Sequence, residues 1–393
     1  MRKRTICVFT ATRAEYGLLF PLLKELSKDS AFDLQLLVSG THLSKKFGMT
    51  YQQIVQDGFS IDAKVDLHLG DDSPVGICRS MARGVEGYAQ ALKKLNPDML
   101  VILGDRFEAL AAATAAMVSR IPIAHISGGE STFGLIDEPI RHSITKMASV
   151  HFAATDVYRR RIIQLGENPQ RVFNVGALGL DNLKLLKLLS KDELERNLKL
   201  KFAPHNLLVT FHPVTLENNT APEQCQNLLQ ALNGLKETMV FFTKANADTD
   251  GQVINQLIEK YVEGHPGHTR VFTSLGQLNY LSMMQYVDGV VGNSSSGIVE
   301  APSFKIGTVN IGDRQAGRLR SSSIIDCGPQ TVSIQKALQR LYSPSFQSQL
   351  KLVKNIYGKG GTAVKIVKIL KKISLEGILK KEFYDLNKEL VNV

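Results

Sequence analysis

With 393 residues, 44% hydrophobic and 21% charged, the chain has the composition of an ordinary soluble globular protein and the length for two or three domains. Its longest apolar stretches, such as Met99 to Leu103, are too short to span a bilayer, and the basic opening MRKRTICVFT lacks the apolar core of a signal peptide. Four scattered cysteines form neither a disulfide framework nor a zinc site, so a cytoplasmic, reducing compartment is the simplest expectation; the net charge of +10 sits largely on Lys-rich helix faces at 184–201 and 365–381, which argues against nucleic-acid or membrane partners.

In chain order, short apolar runs alternate with helical patterns. ICVFT (6–10), LQLLV (34–38), MLVIL (99–103), IPIAHI (121–126), HFAAT (151–155) and RVFNVG (171–176) are rich in β-branched residues and do not alternate, as expected of strands buried on both faces. YGLLFPLLKELSK and the Ala-rich RFEALAAATAAMVSR between them read as helices. After a Lys/Leu-rich helical stretch at 181–205 the pattern restarts with LLVTF (207–211), MVFFT (239–243), RVFTS (270–274), GVVG (289–292), GTVNIG (307–312) and SIIDC (323–327). The expected fold class is α/β, with two Rossmann-like doubly wound domains facing a central cleft: residues 1–180, residues 181–360, and a basic helical segment at 361–393 packing back across them.

Chemistry-bearing residues gather where these strands end. The block from Gly104 to Ala148 holds GDRFEAL, ISGGE and FGLIDEPIRHSITKMA, bringing Asp105, Arg106, Glu130, Asp137, Arg141 and His142 close behind strands or to a helix mouth. Converging carboxylates would push their pKa values apart and supply an acid and a base. Asp137 also suits a helix N-terminus paired with Arg141 four residues on, whereas Glu130, after Gly-Gly, has no such local task. In VTFHPVT, Pro213 holds His212 extended at a strand end. GNSSSG (292–297) reads either as an anion pocket built with Ser294 and Ser295 or as a plain helix cap, and Glu300 either as a partner for a ribose diol or as a first-turn acid. Arg13 in TATRAEYG and Arg314 in GDRQAGRLR follow strands and suit phosphate. No GxGxxG follows the first strand, no P-loop motif occurs, and no HxxxH or HExxH spacing marks a metal.

TATRAEYG, SGTHLS, GDRFEAL, ISGGE, IDEPIRHSITK, FHPVT, GNSSSGIVE and NIGDRQAGR, in that order, resemble the hydrolysing UDP-N-acetylglucosamine 2-epimerases of bacterial sialic acid biosynthesis. The resemblance implies a GT-B-like fold, a UDP-sugar substrate, no cofactor, and a homo-oligomer, dimer or tetramer. It implies elimination of UDP from UDP-N-acetylglucosamine to a glycal, then hydration to N-acetylmannosamine. By motif it makes Asp105, Glu130 and Asp137 the catalytic carboxylates and puts His212 at the diphosphate. It assigns Arg13, Ser294, Ser295, Glu300 and Arg314 to UDP, Asn246 to the nucleotide pocket and the Leu275 backbone to uracil, with His42, Arg106 and Arg141 as further substrate-binding candidates. ESTFGLIDEP departs from the EVSGTIDDS-like form of some relatives and leaves open UDP-N,N'-diacetylbacillosamine, a 4-acetamido-6-deoxy sugar. Other readings of the same architecture are a non-hydrolysing epimerase, a glycosyltransferase and a non-catalytic UDP-sugar-binding protein.

Overall fold

The computed structural model describes residues 2–217, 219–245 and 251–386. Two compact units emerge. The first comprises Met1–Glu130, Asp137–Asn182 and Gly360–Val393; the second comprises Ser131–Ile136 and Leu183–Lys359.

The first unit is built on β1 (Arg4–Thr10), β2 (Phe32–Ser39), β3 (Ala63–Val65), β4 (Met99–Leu103), β5 (Ile123–Ile126), β6 (Val150–Ala153) and β7 (Val172–Asn174). Their order across the sheet is β3-β2-β1-β4-β5-β6-β7, and every pairing is parallel. Both faces are buried, which explains the unbroken apolar runs. Ile6, Val8, Val101, Ala124 and Phe152 face one core with the helices Arg13–Lys28 and Thr362–Lys372. Cys7, Phe9, Leu100, Ile102 and Ile123 face the other, with Pro74–Leu95, Phe107–Val118 and Asp137–Met147. The alanines of Phe107–Val118 are core residues: Ala112, Ala113 and Ala116 are fully buried. Their small side chains allow close approach to Gly84, where an added Cβ would press on Ala111, Leu67 and Tyr88.

The basic C-terminal helix belongs to this unit. The Asp181 carboxylate accepts from the N–H groups of Thr362 (2.9 Å) and Ala363 (2.7 Å), satisfying two donors that a helix start leaves without partners. Ala363, Ile366, Val367 and Leu370 then bury against the first core.

The second unit repeats the plan with β8 (His205–Thr210), β9 (Thr238–Thr243), β10 (Thr269–Phe272), β11 (Gly289–Gly292), β12 (Gly307–Ile311) and β13 (Ile324–Cys327). The order is β10-β9-β8-β11-β12-β13, again all parallel. Ser131–Ile136 is pinned within this unit: Phe133 N–H donates to Ala316 O, Leu216 N–H to Gly134 O, and Ile136 N–H to Thr215 Oγ1.

Both sheets have the doubly wound order, with the chain reversing direction beside the first strand, between β1 and β4 and between β8 and β11. A ligand crevice forms at such switch points, beyond the strand carboxyl ends. The expected parallel α/β class is what the structure shows. No helix among the described residues is long and apolar enough to cross a membrane.

Candidate active site

In the first unit, the β4 end and the helix Asp137–Met147 meet through Arg141. The guanidinium is 1% exposed, and its Nε donates to Asp105 Oδ2 at 2.6 Å. Its Nη1 donates to Glu138 Oε2 at 2.6 Å and to the Glu130 carbonyl at 3.0 Å. One cation therefore holds two carboxylates and the backbone of a third acidic residue. Glu138 also reaches His142 Nε2 at 3.2 Å. Asp137 opens the helix and Glu130 is buried. The sequence-based candidates Asp105, Glu130 and Arg141 are thus in one network, with Asp137 adjacent in the chain to its member Glu138. Arg141 is buried and holds the carboxylates of Asp105 and Glu138.

At the β1 end, Thr12 caps the helix that begins at Arg13, and Arg13 is exposed in its first turn. Glu15 closes the capping box and folds back into the protein. Its Oε2 accepts from Ala11 N–H at 2.6 Å and Thr12 N–H at 3.3 Å. Burial pushes the Glu15 carboxyl up to about 7; Glu108 adds to that push, while the Ala11 bond and the charge of Arg106 oppose it. Arg106 grips Glu108 through Nε (3.1 Å) and Nη2 (3.4 Å). His42 is fully buried, with Nε2 3.1 Å from Thr10 Oγ1 and Nδ1 2.8 Å from Thr50 Oγ1. Burial pushes its imidazole down to about 4, so it is neutral near pH 7. His42 is thus held between Thr10 and Thr50, and Arg106 pairs with Glu108.

In the second unit, Asn293 organises the switch between β8 and β11. Its Oδ1 accepts from His212 N–H at 2.7 Å, and its Nδ2 donates to His212 O at 2.8 Å. Its own carbonyl accepts from Arg314 Nη1 (3.2 Å) and Gln315 Nε2 (2.9 Å). His212 and Arg314 are therefore tethered to one residue. Gly292 has φ +127, and a Cβ there would run into Thr210 O. Ser294 then caps the short helix Ser295–Val299, accepting from Ser296 N–H at 3.4 Å. The Tyr280 hydroxyl lies among Ser296, Thr210 and Ser294, beside Glu300; burial pushes it up to about 12. Leu275 precedes the helix Gly276–Met283 and is buried. Asn246 lies outside the described residues.

Sequence reasoning passed over Glu138, Glu15, Glu108, Asn293 and Tyr280. Glu138 was legible as the i,i+3 partner of Arg141, and Asn293 as the first polar residue after a strand. Glu108 was legible as the near neighbour of Arg106, whereas Tyr280 carried no local signal, because Thr210, Ser294 and Ser296 reach it only through folding. Among the described residues, no group of three or more His, Cys, Asp or Glu side chains is arranged to hold a metal ion.

Each unit is a doubly wound α/β sheet of the ligand-binding class, with polar groups gathered at its switch point. The family model for UDP-N-acetylglucosamine 2-epimerase matches residues 24–371. The chain is 42% identical over 387 residues to the GDP/UDP-N,N'-diacetylbacillosamine 2-epimerase (hydrolyzing) of Campylobacter jejuni, covering 98% of this chain and 100% of that one. It is 37% identical to polysialic acid biosynthesis protein P7 of Escherichia coli, covering 98% of each. The crystal structure of the UDP-GlcNAc 2-epimerase from Neisseria meningitidis bound to UDP-GlcNAc has the same fold, with a TM-score of 0.80 over 94% of this chain and 100% of that one, at 17% identity. This chain belongs to the UDP-N-acetylglucosamine 2-epimerase family and is an enzyme of the 2-epimerase class.

Proposed function

We propose that the protein is a hydrolysing UDP-sugar 2-epimerase and that its sugar is N,N'-diacetylbacillosamine. The full-length identity to the Campylobacter enzyme carries the choice of sugar.

The chemistry follows from the substrate. The C2 hydrogen is not acidic, so a carboxylate removes it only as the C1–O bond to UDP breaks. The products of that step are UDP and a 1,2-unsaturated sugar. Water then adds its hydroxyl to C1, and an acid returns a proton to C2 on the opposite face, giving the free manno-configured sugar. The first unit supplies Asp105, Glu130 and Asp137 for these transfers, with Arg141 orienting Asp105. The second supplies His212, Arg314, Ser294 and Ser295 for the departing diphosphate and Glu300 for the ribose; Arg13, in the β1 turn of the first unit, is a further phosphate-binding candidate. The observation that favours acid/base work over binding is the Arg141 centre. Holding an anion gains nothing from carboxylates beside it.

A second reading, UDP-N-acetylglucosamine as substrate, is favoured by the match to the UDP-N-acetylglucosamine 2-epimerase family model. Proton NMR of reactions run with each sugar nucleotide in deuterated water separates the two. The proposal expects free UDP and a manno-configured 2,4-diacetamido-2,4,6-trideoxy sugar carrying deuterium at C2. Turnover of UDP-N-acetylglucosamine alone would select the second reading. A UDP-linked product with no free UDP would overturn hydrolysis.

A further inference from the structure

We propose that His125 is a positioning residue for the acid/base centre, joining the turn that carries Asp105 to the helix that carries Arg141. The inference rests on the reading of Asp105 as a catalytic carboxylate.

His125 lies in β5 and is fully buried. Its strand sits between β4 and β6, so that it stands opposite Ile102 on one side and His151 on the other. The ring Nε2 is 2.7 Å from Gly104 O, and Nδ1 is 3.2 Å from Thr145 Oγ1. The first contact acts directly on Asp105. The Gly104 carbonyl and the Asp105 N–H belong to one planar peptide group, so a bond to the oxygen sets the plane from which the Asp105 side chain departs. That peptide otherwise has latitude, because Gly104 sits at φ +80 and has no Cβ. The second contact acts on Arg141: Thr145 Oγ1 lies 2.9 Å from the Arg141 carbonyl, one turn back on the same helix.

The protonation state makes the bridge directional. Burial pushes the imidazole down to about 4, and the charges of His151 and Arg141 act the same way. The ring is therefore neutral near pH 7, with one N–H. Gly104 O can only accept, so that proton is on Nε2, and Nδ1 is left to accept from the Thr145 hydroxyl. Thr145 has one proton and two acceptors in reach, Nδ1 and Arg141 O. One buried ring thus spans both segments whose side chains meet at 2.6 Å in the Arg141–Asp105 bond.

The test compares His125→Leu, His125→Gln and Thr145→Val, with Asp105→Asn as the reference. His125→Leu keeps bulk and loses both contacts. Its kcat should fall about 100-fold, as expected for a displacement of order 1 Å in a reacting group, with affinity for UDP by calorimetry within about twofold of wild type. His125→Gln keeps an amide donor within reach of Gly104 O and should regain most of the lost rate. Thr145→Val should lower kcat more modestly and add little to His125→Leu, because both act through one bridge. Wild-type kcat in His125→Leu, or a parallel loss of kcat and UDP affinity in both His125 variants, would overturn the positioning role. Full turnover by Asp105→Asn would instead overturn the acid/base reading beneath it.

Discussion

Arg141 donates to Asp105 at 2.6 Å from a position 1% exposed, tying the β4 turn to the helix Asp137–Met147. Asp105 and Glu138, at 21% and 19% exposed, share that one guanidinium. Removing it leaves two carboxylates facing each other in a confined space. Arg141→Met should cost about 3–5 kcal/mol of stability and abolish turnover. Arg141→Lys should recover stability in part but not rate, since an ammonium lacks the fork that engages Asp105, Glu138 and the Glu130 carbonyl together. Urea unfolding and steady-state kinetics on both variants check this. A stable, active Arg141→Met would remove Arg141 from the centre.

Gly292, the last residue of β11, pairs with Thr210 of β8. Its φ of +127 and the approach of Thr210 O leave no room for a side chain. Gly292→Ala must displace the Asn293–Ser295 turn, and with it the partners of His212 and Arg314. UDP binding measured by calorimetry should weaken at least about tenfold, a cost of about 1.4 kcal/mol, while the acids of the first unit are untouched. Unchanged affinity would show that the turn does not hold the nucleotide.

Glu15 should make the protein less stable at alkaline pH. Its folded pKa of about 7 lies above the ordinary 4.5, so its contribution is full below pH 4.5 and is lost as pH rises through about 7. Glu15→Gln keeps an acceptor for Ala11 N–H and cannot ionise. The variant should gain in melting temperature over wild type at pH 8 and show little gain at pH 5. Equal pH slopes in the two proteins would place the titration elsewhere.

The C-terminal segment closes the far end of the Arg141 helix. Lys381 Nζ donates to Lys146 O (2.8 Å), Ala148 O (2.6 Å) and Glu167 Oε2 (2.7 Å), and His151 Nε2 lies 2.9 Å from the same carboxylate oxygen. Burial works against ionised Glu167, but the bonds from His151, Lys146 and Lys381 outweigh it and bring the carboxyl down to about 2. That stabilisation is present above pH 4.5 and is lost as pH falls through about 2. Lys381→Met should therefore destabilise the protein by about 1–3 kcal/mol at pH 7, with a smaller deficit at pH 3. Urea titrations at the two pH values test it; a deficit that does not shrink would mean that Lys381 acts only through the helix carbonyls.

Much of this was legible in the chain. Every apolar run read as a strand overlaps one, since a parallel sheet covered on both faces demands continuous apolar segments. Ala63–Val65 was missed: it is short, carries Lys64 at its centre and is at most half-buried, so it has neither length nor pattern. Asp105, His212 and Ser294 lie just past strand ends, because that is where helices begin and where backbone groups are free for a ligand. What could not be read was the sorting of their roles. His42, Arg106 and Arg141 look alike as polar residues near turns, yet the folded chain turns His42 and Arg141 inward and commits Arg106 to Glu108.

The sequence by itself determined the alternation of strands and helices, the two-sheet class and the positions where polar groups break out of apolar runs. These are local properties, set by periodicity and turn chemistry over a few residues. Only the tertiary structure decided that Asp105 meets Arg141 across 36 residues, and that His125 lies beneath both. That outcome depends on strand order. β5 lies beside β4 because the sheet winds outward from β1, and burial then forces each charge to find the partner that this order brings within reach.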